Sequence, residues 1–275
     1  MMRSLWTSAS GMTSQQLNVD TISNNLANVN TNGYKKESAE FKSLLYQTMS
    51  RASAPAVGGN TRPGNLQVGH GVRPVAVNRN FSTGMVLETG NSTDLAIEGN
   101  GFFAISDRDE RESYTKDGSF RAAITDDGAG YVLVTSDGYP VLTLDDEPLF
   151  IDEDVDVSRL TVSQDAIVGY MDPEIDEFIE LGQLKIVQFP NVNGLEAIGS
   201  NLYITTPASG EPLIEADDEV TSRSTIRQYF LEGSNVQVAE EMVKLIVAQR
   251  AYELNSTAIR TADSMLQEAN QLKRS

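Results

Sequence analysis

Apolar residues return every seven positions at both ends of the chain. Near the start the row is Leu5, Met12, Val19 and Leu26, and a second row, three positions on, carries Ser8, Gln15, Ile22 and Val29. Near the end Val238, Leu245, Tyr252, Ile259 and Leu266 keep the same spacing. Glu241, Ala248, Asn255, Ala262 and Ala269 follow three positions later, and Met242 and Ile246 widen the stripe. Heptad spacing predicts amphipathic helices that need a partner. The first spans residues 1–33 and stops at Thr31-Asn32-Gly33, where glycine allows the turn that ends a helix. The second spans residues 234–275. Ser234 or Asn235 can cap it, Glu240 and Glu241 sit at the positive end of its dipole, and no Gly or Pro interrupts residues 236–275. At 1.5 Å per residue it would be on the order of 50 Å long.

Between the helices the pattern changes to short apolar runs separated by turn residues. Phe102-Phe103-Ala104-Ile105, Tyr114 to Phe120 around Asp117-Gly118, and Tyr131-Val132-Leu133-Val134 before Asp137-Gly138 read as strands with hairpin turns. Leu160–Val162, Ala166–Tyr170, Gln183–Phe189 and Leu202–Thr205 continue the series, so residues 95–215 are expected to form an antiparallel β domain. Residues 34–94 form an extended linker. Its part from about 47 to 75 is rich in Gly, Pro, Ser, Asn and Ala and reads as a loop or irregular hairpin with little core of its own. Residues 216–233 are the return linker. The expected fold is therefore α+β: long terminal helices forming a coiled-coil-like core, an extended linker and a central antiparallel β domain.

An isolated amphipathic helix is marginal in water, and each buried Leu, Ile or Met contributes roughly 1.5–3 kcal/mol. The two ends can pair with each other as an antiparallel hairpin, or they can pack against the ends of neighbouring copies. Ser8, Gln15, Gln249, Asn255 and Ser256 lie on or beside the seams and make them only partly apolar. Such seams suit a helix that touches several partners, as in a tube of helices.

Charge sharpens the division between ends and middle. The 275 residues carry a net charge of −18, and residues 85–220 hold 30 of the 39 acidic residues but only 6 of the 21 basic ones. An acidic middle suits a water-facing surface, and the overall sign argues against phosphate neutralisation on nucleic acid and against a polybasic hold on a membrane. No apolar run approaches the roughly 20 residues of a membrane helix, and Ser4, Thr7, Ser8, Ser10 and Gly11 break up any secretory signal. With no cysteine, disulfides and thiol chemistry are ruled out.

Catalytic and metal readings are weaker than structural ones. Asp152, Asp154 and Asp156 begin like a calcium loop, but Val157 stands at the sixth position and Ser163 at the twelfth. Asp126-Asp127, Asp145-Asp146-Glu147 and Asp217-Asp218-Glu219 are the candidates for a carboxylate-based wall hydrolase, the rival class, yet each sits in a polar run typical of surface loops. His70, the only histidine, lies between two glycines. Gly99-Asn100-Gly101 lacks the rest of a nucleotide fingerprint. Trp6 beside Leu5 reads as an inter-helix contact. Neither an enzyme nor a cofactor is expected.

Four segments, in order, resemble the rod and hook family of the bacterial flagellar axis. Ser23 through Lys35 is similar to that family's N-terminal signature through Asn24, Asn25, Leu26, Ala27, Asn28, Thr31, Gly33, Tyr34 and Lys35, with Ser23 where the family usually has Ala. Asn91 through Phe103 resembles the entry strand of the β domain, and Tyr114-Thr115-Lys116-Asp117-Gly118-Ser119-Phe120 follows it. Leu231-Glu232-Gly233-Ser234-Asn235-Val236, then Ala239 to Val243 and Gln249 to Glu253, look like the family's C-terminal helix. Phe41–Thr48 with Leu66–Pro74 resembles the added segment of the distal-rod branch. In that branch the segment is associated with a straight, stiff rod, so Tyr46, Gln47, Pro63, Leu66, Val68, Gly69 and Val72 are expected to stiffen contacts between subunits. The resemblance implies a helical homo-oligomer with proximal rod proteins below, hook protein above and ring proteins around it. It also implies delivery to the periplasm by the flagellar export apparatus without a cleaved signal. Leu5, Met12, Val19, Ile22, Leu26, Val29, Val238, Met242, Leu245, Tyr252, Ile259 and Leu266 are the expected subunit contacts. A proximal-rod or hook paralogue is the alternative within the family.

Overall fold

A computed structural model describes residues 2–50, 65–107, 111–125, 130–152, 155–171, 178–216 and 222–274. The chain divides into two compact units. The first holds residues 1–27, 37–79 and 237–275, and the second holds residues 28–36 and 80–236.

The first unit contains the two α-helices of the described residues, α1 (Met2–Ala27) and α2 (Val238–Arg274). Four strands join them: β1 (Glu37–Ser43), β2 (Tyr46–Ser50), β3 (Leu66–Gly69) and β4 (Val72–Arg79). β1 pairs antiparallel with β4, and β2 with β3. The helices run antiparallel: Asn25 meets Glu241 near one end, and Gly11 lies against Asn255 farther along.

The coiled-coil-like core expected from the heptads is not what forms. On α2 the most buried residues are Glu241, Ala248 and Ala262, all on the polar and small row, and on α1 they are Ser14, Thr21, Ile22 and Asn25. A Cβ added at Gly11 would come within 2.9 Å of Asn255 Nδ2. Small residues bring the two backbones close but remove little apolar area from water. The oily positions Val238, Met242 and Tyr252 stay exposed, and both buried hydrophobic clusters lie in the second unit. The protein is α+β, with antiparallel strands dominant and the core built from them.

That second unit carries β5 (Val86–Glu88), β6 (Leu95–Glu98), β7 (Phe102–Ser106), β8 (Glu112–Thr115), β9 (Arg121–Ile124), β10 (Gly130–Val134), β11 (Phe150–Asp152), β12 (Leu160–Val162), β13 (Ile167–Met171), β14 (Phe178–Gln183), β15 (Ile186–Gln188), β16 (Glu196–Gly199), β17 (Leu202–Ile204), β18 (Leu213–Ile214), β19 (Thr225–Gln228) and β20 (Phe230–Glu232). The widest sheet runs β16-β17-β8-β7-β15-β18. Alternation along β7 serves both of its faces: Phe103 and Ile105 enter one apolar cluster, Phe102 and Ala104 the other. Phe103 meets Phe120 edge to face, and Phe102 meets Phe81, Phe189 and Tyr203 in the same way. Lys185 bridges Glu112 and Asp146, each at 2.5 Å. Burial opposes its charge, but the two carboxylates outweigh that and raise its pKa.

The two Asp-Gly turns have different fates. Asp137-Gly138 closes a tight turn after β10, with Gly138 at φ 88° and its N–H donating to Thr135 O. Asp117-Gly118 closes no hairpin, because β9 pairs with β10 rather than β8. A Cβ at Gly118 would stand 1.6 Å from Leu95 O, and Leu95 N donates to Gly118 O at 3.0 Å, so the glycine here permits a close crossing of β6.

Around that crossing lies a buried ionic cluster. Lys35 Nζ meets Glu232 Oε1 at 2.6 Å, with both side chains essentially inaccessible to water. Lys35 also donates to Ser82 O, and Gly84 N donates to the same carboxylate oxygen at 2.7 Å. Gly33 N donates to Glu232 O at 2.8 Å. Lys116 Nζ donates to Gly99 O at 2.9 Å and stands 5.2 Å from the centre of the Phe102 ring. Glu215 accepts from Ser224 N, Ser224 Oγ and Gln188 Nε2, each at 2.7 Å. Burial pushes Lys35 below the usual lysine range, and the Glu232 carboxylate opposes that shift. For Lys116, burial and then the like charge of Lys35 lower the pKa to about 8.

Removing one partner of such a pair strands the other charge, which costs about 3–5 kcal/mol, whereas apolar replacement of both is often near neutral. Lys35→Met and Glu232→Leu are each expected to destabilise by about that much in urea unfolding, and the double variant by clearly less than their sum. Additive losses would contradict the pairing. Lys116 sets a pH dependence. An unfolded lysine keeps its proton up to about 10.5, and the folded one only to about 8. Between those values the unfolded chain binds more protons, so stability rises with pH, and burial of Lys35 acts with the same sign. The stability difference between wild type and Lys116→Met is expected to shift toward wild type from pH 8 to 10. A difference that stays flat across that range would rule out the buried charge.

Candidate functional site

The residues of the N-terminal signature hold structure together rather than do chemistry. In the first unit Asn25 is buried, and its amide works in both directions. Nδ2 donates to Glu37 O at 2.8 Å and to Glu241 Oε2 at 3.1 Å, and Oδ1 accepts from Glu37 N at 2.8 Å. A side-chain amide supplies two donors and an acceptor at once, so Asn25 ties the end of α1 to β1 and α2. Asn24 reaches Glu37 Oε2 at 3.3 Å; Leu26 is half-buried and Ala27 exposed. In the second unit Thr31 Oγ1 donates to Asn28 Oδ1, and Gly33 adopts φ +67°. A Cβ at Gly33 would lie 2.8 Å from Asp117 N, so glycine is required on two counts. Tyr34 and Lys35 are buried.

The expected contact residues on the helices fall into two sets. Ile22 is buried, and Leu5, Met12, Val19, Leu26, Val29, Leu245, Ile259 and Leu266 are half-buried. Val238, Met242 and Tyr252 are exposed, as is Ile246. A further exposed set has no place in the heptad reading: Val243, Val247, Leu254, Met265 and Leu272. Its signal was in the chain, since Val247 and Leu254 are seven apart, as are Ala258, Met265 and Leu272. The two stronger heptad rows masked it.

The linker hairpin is also oily and exposed. Tyr46 pairs with Gly69 and Gln47 with Val68. Leu45, Tyr46, Met49 and Leu66 are all open, Leu45 at 88%. Val68, Gly69 and Val72 are half-buried, and Pro63 lies outside the described residues. Gly71 takes φ +105°, and a Cβ there would stand 2.2 Å from Ser10 Oγ, so it lets β4 begin hard against α1. Trp6, 69% exposed, shares a hollow with Arg3, Leu5, Ala9 and His70.

Two of the acidic candidates in the described residues have structural partners. Asp146 binds Lys185. Asp156 caps a short helical turn, accepting from Ser158 N and Oγ, and those hydrogen bonds lower its pKa. Asp126, Asp127, Asp154, Asp217, Asp218 and Glu219 lie outside the described residues. The feature left for function is an extended apolar surface on α2 and the β2–β3 hairpin, far beyond isolated surface hydrophobics.

Three family models match the chain in order: "Flagella basal body rod protein" over residues 5–35, "Flagellar hook protein FlgE/F/G D1 domain" over 96–170 and "Flagellar basal body rod FlgEFG protein C-terminal" over 227–272. The flagellar basal-body rod protein FlgG of Borreliella burgdorferi is 50% identical over 274 residues, covering all of both chains. The protein of that name from Caulobacter vibrioides is 41% identical over 99% of this chain and all of its own, and that from Bacillus subtilis 37% over the whole of both. The flagellar hook protein FlgE of Helicobacter mustelae is 44% identical, over 51% of this chain and 30% of its own length. With such identity end to end, the chain belongs to the flagellar basal-body rod protein family, as a structural subunit of the rod.

Proposed function

We propose that this chain polymerises into the distal part of the rod and transmits torque through contacts that do not slide. The observation that carries the reading is the exposure of Val238, Met242, Ile246 and Tyr252 along a regular helix. Apolar side chains on a firm element are stabilised only when something covers them, and identical copies supply a matching surface at every step of a shaft. Full-length similarity to rod proteins, against partial similarity to a hook protein, favours the rod over the hook.

In this reading the helices face the neighbouring copies, and the acidic β unit faces outward in the periplasm. There ring proteins surround the shaft, and like charge resists sticking during rotation. Proximal rod proteins and hook protein flank it, and the flagellar export apparatus delivers it. It carries out no reaction and holds no cofactor; its side-chain chemistry serves folding and contact. The hairpin at Tyr46–Ser50 and Leu66–Gly69 bridges neighbours and stiffens them.

Ile246→Asp is expected to leave the circular dichroism and unfolding midpoint of the purified chain nearly unchanged, since the side chain is exposed, while abolishing rod assembly and swimming. Normal motility would count against the helix surface as the contact. Deleting residues 50–68 is expected to give rods that bend in electron micrographs. Shafts as straight as wild type would remove the stiffening role.

A further inference from the structure

Three Asn-Gly dipeptides stand in the chain: Asn32-Gly33, Asn100-Gly101 and Asn193-Gly194. Asparagine is chemically labile, and most so before glycine, where no side chain shields the next backbone nitrogen. That nitrogen attacks the side-chain Cγ, the bond from Cγ to the amide nitrogen breaks, and ammonia leaves with the proton. Water then opens the cyclic imide at either carbonyl and gives aspartate or isoaspartate. The reaction needs a backbone N–H that is free and a main chain that can turn. In the folded protein all three glycine N–H groups are taken. Gly33 N donates to Glu232 O at 2.8 Å, Gly101 N to Ser224 Oγ at 2.9 Å and Gly194 N to Asn191 O at 3.1 Å. The acceptors differ in kind. Asn191 begins the same short turn that Gly194 ends, so that bond forms locally. Glu232 lies at the other end of the second unit's sequence and meets Gly33 only when the unit has folded.

We infer that Asn32 is a self-modification site, closed by the Glu232 segment in the folded chain and open whenever that segment is away. Folded, the Asn32–Gly33 peptide is pinned on both sides: Asn32 O accepts from Asn201 Nδ2 at 2.8 Å, and Gly33 is buried at φ +67°. The peptide cannot turn toward the Asn32 amide without breaking both hydrogen bonds. Unfolded, nothing holds Gly33 N, and conversion runs. Isoaspartate routes the main chain through Cγ and adds one methylene between the Asn201 and Glu232 anchors. No room absorbs it. A Cβ at Gly33 would already lie 2.8 Å from Asp117 N, and Lys35, just beyond, must still meet Glu232 Oε1 at 2.6 Å. A converted chain therefore cannot close the buried pair. Time spent unfolded is recorded at Asn32, and chains that linger leave the pool that can fold.

The full-length protein, incubated at mildly alkaline pH in buffer and in unfolding urea, tests this when isoaspartate is mapped by peptide mass spectrometry. Conversion at Asn32 is expected to be slower in buffer by more than about tenfold, since it proceeds only through opened molecules. Equal rates would overturn the inference. Glu232→Leu, which loosens the pair, is expected to speed conversion at Asn32 in buffer more than at Asn193, whose glycine is held within its own turn. An unchanged rate at Asn32, or equal acceleration at both sites, would overturn closure by the Glu232 segment. If that variant does not fold, wild type in urea below its transition decides: conversion at Asn32 must rise with urea, and a flat rate overturns the closure. The block to folding is read separately. Chains aged in urea are refolded by dilution, and the compact fraction is isolated by size. That fraction is expected to be depleted of isoaspartate at position 32; the same share as in the starting mixture would overturn the block.

Discussion

The buried ion pair of Lys35 and Glu232 is the constraint on which the second unit is organised. It joins the segment just after α1 to the segment just before α2, and its carboxylate also holds Gly84. Two charges removed from water need partners beyond each other, and here Ser82 O accepts from Lys35 and Gly84 N donates to Glu232 Oε1, while Glu232 Oε2 is buried without a hydrogen bond. Lys116 and Glu215 place a second cation and a second anion in the same neighbourhood. The glycines around them, Gly33 and Gly118, exist because the strands that carry these charges approach too closely for a side chain.

This division of labour explains where the oil lies. The second unit spends its large apolar residues on its own core, in two clusters on the faces of one sheet. The first unit does the opposite. Its helices meet over Gly11, Ser14, Ala248 and Ala262, and many of its larger apolar residues, Met242, Ile246 and Leu254 among them, face outward. A seam of small residues is a choice of close approach over buried area, and it frees the Val, Ile, Leu and Met side chains for other surfaces.

Much of this was legible in the chain. The heptads marked both helices, strand-like runs marked the β domain, and the signature from Asn24 to Lys35 marked the family. The seam was misread because heptad spacing says that a face repeats, not which of two neighbouring rows turns inward. Backbone approach at Gly11 decided that, and a lone glycine in a helix carries no such message in sequence. The Lys35–Glu232 pair was unreadable for a different reason. Nothing local tells a lysine which of 39 acidic residues will meet it. Asp117-Gly118 failed as a hairpin signal because the same dipeptide also suits a backbone crossing, and only the distant strand β6 distinguishes the two.

The pairing of Lys35 with Glu232 also has a consequence in time. Their separation along the chain, 197 residues, makes this lock a contact of very high order, reached only after nearly the whole polypeptide is free to meet itself. Until then both charges stay hydrated and the core between them has no clasp. The second unit therefore sets as a whole, once the segments bearing Lys35 and Glu232 can meet, and not progressively from one end.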